Sequence, residues 1–376
     1  PNSCRRMLVA RDLQRTASEA TPRRASADSV PFDATKTEGT PVIDAQGLQK
    51  RFGSALVLRD LSLRVYAGEI FGLIGPSGSG KSTVVHLLCG HLRPSGGNVR
   101  VLGEEPVAFD ERTRGRIGYM PQGFVLFTDL TVRQNVGFAA GLYGLSPWSR
   151  RQKVREVLEL TELWEARGKT ARAISGGMQR RLALAAALVH NPDLLFADEP
   201  TANLDPILRT KLWRHFREMA DRGKSLLVTT QYIDEAENCD RVGLTYGGYL
   251  IAEGQPEELR RGAFGGDVVD ITLEDAAERY VGAVQQVPGV REVSAFTTTV
   301  GQEQPHESLR LTVDDAQRRI PSLLNALEAV GASIRSVGQY RPSFDEVFIQ
   351  LIEQHGAPRP PVGALRTSPA PEHEGG

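Results

Sequence analysis

Short apolar runs ending in glycine or charge alternate with helical apolar periods from Pro41 to about Gly262. Ile70 to Ile74, Leu194 to Asp198 and Ser225 to Thr230 are largely apolar, and each is followed by polar or Gly-rich sequence. Strands buried on both faces read this way, and in a parallel sheet they deliver functional loops at their carboxyl ends. Their alternation with helical segments predicts an α/β domain over 41–262. From about Thr131 to Ala173 the period is instead helical, with Val154, Val157, Leu158 and Leu160 at helical spacing. That stretch predicts a helical insertion, a subdomain over about 125–175.

Beyond Gly262 the linker Ala263-Phe264-Gly265-Gly266-Asp267 opens a second pattern over 268–354. Its pieces are a strand at Val268 to Leu273, a helix at Glu274 to Val284, strands at Val290 to Thr297 and Ser308 to Val313, a helix at Ala316 to Val330 and a strand at Ala332 to Val337. This order matches a small α+β, ferredoxin-like sandwich. An amphipathic helix from Ser343 to Glu353 follows, with an N-cap serine, and is expected to pack on that sandwich. Residues 1–40 mix Ser, Thr, Ala and Pro with Arg5, Arg6, Arg11, Arg15, Arg23 and Arg24 and lack an apolar period. A disordered arm is expected there, although an Arg-rich, acid-poor start also fits a transit peptide or a basic interaction arm. The Pro-rich stretch 356–376 is expected to be a disordered tail.

Composition acts mainly by exclusion. The 45 Lys and Arg against 46 Asp and Glu leave a formal net charge of -1, which provides no overall pull towards nucleic acid or an anionic bilayer. No nucleic-acid partner is expected. Apolar stretches such as Leu182 to Val189 fall far short of the roughly 20 residues that cross a bilayer as a helix, so any membrane link must come from a partner. Cys4, Cys89 and Cys239 lack metal-type spacing and fit a reducing compartment.

Gly75-Pro76-Ser77-Gly78-Ser79-Gly80-Lys81-Ser82-Thr83 follows an apolar strand and opens a helix, the context a phosphate-binding loop requires. Glycines let backbone N–H groups turn inward around a β-phosphate, Lys81 can reach β- and γ-oxygens, and Ser82 can ligate Mg2+ at the helix N-terminus. Out of that context, the same residues would make only a flexible turn. Downstream, Leu194 to Asp198 ends in the pair Asp198-Glu199. Alone, such a pair is more often a helix start or a solvated edge. After a phosphate-binding loop it suits a Walker B strand, with Asp198 at the metal and Glu199 as general base for the attacking water.

Between the two lies Ile174-Ser175-Gly176-Gly177-Met178-Gln179-Arg180-Arg181, immediately before the apolar helix Leu182 to Val189. A Ser-Gly-Gly turn can be a plain N-cap; it also offers a hydroxyl, backbone amides and a helix terminus to an anion. In this order the run resembles the LSGGQ-type signature of ABC ATPases, and the resemblance covers nearly all of 41–262. It implies a P-loop NTPase of ABC type, with ATP and Mg2+ as cofactors. Two copies would pair head to tail, the Ser175, Gly176 and Gly177 of one contacting the γ-phosphate of ATP held by the other. By the same resemblance Phe52 stacks on adenine, Gln122 joins Mg2+ to the helical insertion, and Asp205 of Asn203-Leu204-Asp205 helps link the two sites.

Gln231 in Val228-Thr229-Thr230-Gln231-Tyr232 departs from the family by standing where most members carry a switch histidine. A glutamine amide donates and accepts but does not titrate, so hydrolysis is expected at a rate this exchange can lower. Met178 replaces the signature's last glutamine. The Thr-Thr-Gln-Tyr stretch, the Ser-Gly-Gly-Met-Gln-Arg-Arg run and Pro342-Ser343-Phe344-Asp345-Glu346-Val347-Phe348 resemble daunorubicin-type drug-resistance ATPases that serve ABC-2-type permeases. The resemblance implies an ATP-hydrolysing exporter subunit, peripheral on the cytoplasmic face of the cell membrane, driving separate transmembrane permease subunits in drug or antibiotic efflux. Export of lipid, glycan, peptide or ions would use the same machinery. Against it stand a soluble ABC ATPase acting on ribosomes or DNA, a non-catalytic ATP sensor, and an importer. One complete motif set without heptads, and the retention of Lys81, Asp198 and Glu199, disfavour the first two; the subfamily resemblance and the C-terminal domain disfavour the importer.

Overall fold

A strand that is apolar on both faces needs a packed layer on each side, and the first domain supplies two. The computed structural model describes residues 39–298 and 306–356. Residues 1–38 of the expected arm and 357–376 of the expected tail lie outside the described residues. In chain order come β1 (Ile43–Phe52), β2 (Ala55–Val65), β3 (Ile70–Ile74), α1 (Lys81–Leu88), β4 (Gly96–Val101), the single turn α2 (Glu111–Arg114) and β5 (Ile117–Met120). Then follow α3 (Val132–Leu142), α4 (Pro147–Leu160), α5 (Gly176–Leu188), β6 (Leu194–Asp198), α6 (Pro206–Asp221), β7 (Ser225–Thr230), β8 (Arg241–Tyr246), β9 (Tyr249–Gly254) and α7 (Pro256–Phe264).

Six strands form the central sheet in the order β5-β6-β7-β3-β8-β9, parallel except at the β9 edge. Side chains alternate across it with the strand period of two. Phe71, Leu73, Phe196 and Leu227 share a core with α1 and the antiparallel sheet β2-β1-β4. Ile70, Ile74, Leu195, Ala197, Leu226 and Val228 share the opposite core with α3, α4, α5 and α6. The helical insertion is present as α3 and α4, the first opened by a Thr131–Gln134 capping box and the second by Ser146 with Pro147 in its first turn.

The second domain contains β10 (Asp267–Leu273), the short α8 (Val281–Gln285), β11 (Val290–Thr298), β12 (His306–Val313), α9 (Ala316–Ala329), β13 (Ile334–Tyr340) and α10 (Phe344–Gln354). Its antiparallel sheet runs β11-β12-β10-β13, the expected ferredoxin-like order. Val269, Ile271, Leu309, Leu311, Leu323 and Leu327 form a core of its own.

Several expected boundaries are corrected. The helix expected over Glu274 to Val284 shrinks to a 3-10 turn at Ala277–Tyr280 followed by α8. The Glu274 amide is taken by the Ser333 carbonyl at 3.0 Å, and Asp275 accepts from the Tyr280 hydroxyl at 3.1 Å, so the chain stays bent there. The linker expected over Ala263 to Asp267 reduces to Gly265 and Gly266, because α7 runs to Phe264 and β10 starts at Asp267.

The largest correction concerns α10. Its buried face, Phe344, Val347, Phe348, Leu351 and Ile352, joins the first domain's core beside Ile233, Ala236, Leu244, Ile251 and Leu259, and not the sandwich it was expected to cover. The end of the assigned second domain is therefore a structural layer of the first. Phe348→Ala, at a fully buried position, should destabilise the first domain by about 3–5 kcal/mol. All three tryptophans, Trp148, Trp164 and Trp213, lie in that domain, so a lowered urea midpoint of tryptophan fluorescence checks the packing. An unmoved midpoint would place α10 elsewhere.

Candidate active site

Register brings three loops out of the central sheet side by side. Ile74 pairs with Thr230 across β3 and β7, and Asp198 pairs with Thr229 across β6 and β7. The loops after these three carboxyl ends carry Gly75–Thr83, Glu199 and Gln231.

The Gly75 amide donates to the Thr230 carbonyl at 3.3 Å. A Cβ on Gly75 would lie 2.2 Å from the Thr245 carbonyl oxygen, so the loop can pass there only without a side chain. Gly80, with φ 104°, adopts a left-handed conformation at the start of α1. Pro76 and Ser79 are buried, Ser77 and Gly78 are exposed, and Ser82 and Thr83 are half-buried in the first turn of α1. The Lys81 ammonium donates to the carbonyls of Gly75 at 2.8 Å and Pro76 at 3.0 Å, two of its three possible bonds. Burial pushes its pKa below the usual lysine range, while the Glu199 and Asp198 carboxylates pull it back up.

Asp198 and Glu199 are both buried. The Thr229 hydroxyl donates to Asp198, and the Glu199 amide donates to the Thr229 carbonyl and hydroxyl oxygens, each at 3.0 Å. Glu199 sits at φ 52°, a left-handed conformation uncommon outside glycine, which turns its side chain out of the strand line. The Gln231 carboxamide then donates to Glu199 Oε2 at 3.2 Å.

Sequence reasoning missed the anchor of this corner. Arg180 donates through Nε to the Glu199 carbonyl at 3.1 Å and through a terminal nitrogen to the Pro121 carbonyl at 3.1 Å; it also bonds the carbonyls of Gln122 and Asp198. The expected helix start at Leu182 is corrected to Gly176, because the Ser175 hydroxyl caps the turn by accepting from the Met178 amide at 3.3 Å. Only with that earlier start does Arg180 lie in the helix and face the β6 end. Thr229 was equally silent, since its role depends on register between two strands distant in sequence.

Other expected site residues are dispersed. Gln122 reaches the corner through its backbone carbonyl, and the residue is exposed. Phe52 lies half-exposed at the end of β1 with the Lys50 ammonium 5.1 Å from its ring centroid. The same hairpin passes the Gly75–Thr83 loop at Leu58, whose Cδ2 would be 2.6 Å from a Cβ on Gly80. Ser175 and Gly176 are exposed, and Asp205 caps α6 by accepting from the Leu208 amide at 2.9 Å. Among the described residues, no hydrogen bond links Ser175, Gly176, Gly177 or Asp205 to Gly75–Thr83.

A desolvated ammonium beside a glycine-shaped cradle suits a polyphosphate, and the oxygen donors of Ser82 and Asp198 suit a hard cation such as Mg2+. The sequence model of the family described as ABC transporter matches residues 58–202, and that of the family described as ATP-binding protein DrrA1-3-like, C-terminal domain, matches residues 254–352. The daunorubicin resistance ATP-binding protein DrrA3 of Streptomyces coeruleorubidus is 36% identical over 310 residues, 82% of this chain and 95% of its own length. The chain belongs to the ATP-binding subunits of ABC transporters.

The probable multidrug ABC transporter ATP-binding protein YbhF of Escherichia coli (strain K12) is 41% identical over 242 residues, 64% of this chain, which spans only 42% of that relative. A solved ATP-binding subunit of an ABC transporter superposes with a TM-score of 0.55 at 28% identity, covering 60% of this chain and 93% of its own. The dimeric post-hydrolysis state of the ATP-binding cassette MJ0796 bound to ADP and Pi gives 0.53 at 28% identity, with 57% and 98% covered. These likenesses bear out the ABC-type α/β fold expected from the motifs. Within this family's cassette, Arg180→Met removes a charged donor from four carbonyls and should lower stability by about 1–3 kcal/mol, read as a reduced urea midpoint.

Proposed function

We propose that the chain is the ATP-hydrolysing subunit of an exporter, working as a head-to-tail pair around two ATP molecules and driving a separate ABC-2-type permease. The convergence of Lys81, Asp198, Glu199 and Gln231 at one edge of the sheet carries this reading. Lys81 binds the β- and γ-phosphate oxygens in place of some of its present carbonyl contacts. Ser82, Asp198 and Gln122 would hold Mg2+, which would supply positive charge to those oxygens. Glu199 accepts the proton of the attacking water, and the Gln231 amide on Oε2 leaves Oε1 to face that water. Ser175, Gly176 and Gly177 of the second copy close the site from outside, which suits the exposure of Ser175 and Gly176 in the single chain. Phe52 covers the base from the hairpin side, and Asp205 joins the two sites across the pair.

The permease reading draws on the helical insertion. Trp148 is 91% exposed, Leu142 71% and Val125 70%, and Phe127 and Phe138 stack edge to face at 5.0 Å beside a groove also lined by Leu126 and Leu130. So many large apolar groups left in water on one subdomain suit a protein partner. Among the described residues no helix is long and apolar enough to cross a membrane. Drug-like cargo is the reading favoured by the C-terminal domain, since the relatives matched through that region are named for daunorubicin resistance.

Glu199→Gln should retain nucleotide binding, lose hydrolysis and hold a dimer in ATP that size-exclusion chromatography resolves from the monomer. Hydrolysis at the unmodified rate would remove Glu199 from the role of base. Tagged protein purified in mild detergent from its own cells should carry a stoichiometric multi-helix membrane protein; ribosomes or DNA in its place would favour a soluble ABC ATPase.

A further inference from the structure

The segment that follows Gln231 is held from two sides. Ile233–Asn238 forms a 3-10 turn, with Gln231 two residues upstream donating to Glu199. On one side Glu235, fully buried, accepts from the Thr201 hydroxyl at 3.0 Å, which fixes the turn to the loop after β6. On the other side stands α10. Ile233 and Ala236 are fully buried in the core that also takes Phe344, Val347, Phe348, Leu351 and Ile352 of α10.

Charge completes the second hold. Glu237 binds two arginines from beyond the turn: Arg260 of α7 on Oε1, and Arg341, just before α10, on Oε2 at 3.0 Å. Arg341 also donates to Glu257 at 3.1 Å. Arg260, nearly fully buried, donates to the Pro342 carbonyl at 2.9 Å and lies 4.4 Å from the Phe344 ring centroid. Burial, with Arg341 nearby, pushes its pKa down to about 10. It therefore stays charged near neutral pH. The turn thus cannot shift without disturbing either a buried apolar contact or this clasp.

We propose that Arg341 is a positioning residue for Gln231: with α10 it clasps the Glu237 turn from the C-terminal domain and so sets the reach of the glutamine amide to Glu199. This rests on the reading of Glu199 and Gln231 as hydrolytic groups. A displacement of the C-terminal domain is then felt at the site through the turn, without any contact between that domain and nucleotide.

The test uses the full chain with Arg341→Glu, which sets a carboxylate against Glu237 and Glu257 at a position 61% exposed, and Arg341→Lys as the conservative variant. For Arg341→Glu, kcat for ATP should fall by about tenfold with KM little changed, and Arg341→Lys should restore most of it. Hydrogen exchange should rise in peptides covering 231–238 while β3 and β6 keep their protection, which separates a loosened turn from general unfolding. An unchanged kcat overturns the proposal whatever the exchange shows. If the unmodified chain hydrolyses no ATP, the reading of the site fails by itself, and unchanged exchange at 231–238 in Arg341→Glu then overturns the clasp independently.

Discussion

One lysine and two carboxylates are kept out of water at a single edge of the sheet, and much of the first domain exists to make that tolerable. Removing an ion from water costs several kcal/mol unless charge and hydrogen bonds compensate. Lys81 has two carbonyls, Asp198 the Thr229 hydroxyl, and Glu199 the Gln231 amide, and the three charges lie near enough to oppose burial's effect on the lysine. Each compensating group depends on register. A slip of one residue in β7 would turn Thr229 away from Asp198 and move the loop that carries Gln231.

That register is set by two cores acting on the same strands. Because β3, β6 and β7 bury alternate side chains against different layers, neither face can slide without exposing the other. The second domain takes part in this. Its sandwich has a separate core, yet its last helix fills part of the first domain's, so cutting the chain at the glycine pair would remove a packing layer. The middle of α7 and the end of β13 meet there through Arg260 and Arg341 on Glu237, polar contacts beside an apolar one.

Much of the site was legible because its chemistry is local in sequence. Gly75 to Thr83 and the run ending at Glu199 announce themselves by residue type within a few positions of an apolar strand, and β3, β6 and β7 have the limits their apolar runs predicted. What stayed hidden depends on distant pairing. Arg180 looks like one of two adjacent surface arginines until α5 is known to start at Gly176. The partner of α10 was misjudged because amphipathicity says that a face is buried and is silent about which surface receives it. Near the sandwich, proximity in sequence points to the wrong partner; the apolar surface of Ile233, Leu244 and Ile251 is the one that receives it.

With Gln231 standing where the family resemblance places a histidine, positioning matters more. An imidazole near a carboxylate gains charge and binds it strongly over a range of geometries, whereas a neutral amide gives an ordinary hydrogen bond that weakens steeply when misaligned. The Gln231 carboxamide also has a wrong way round, with its oxygen towards the Glu199 carboxylate, which a displaced backbone would make easier to adopt. A site built on this amide therefore depends on the backbone that follows it, and here that backbone is pinned by Glu235 inside the domain and by Glu237 to the C-terminal arginine. An ordinary amide donor and a turn held from two sides act together here.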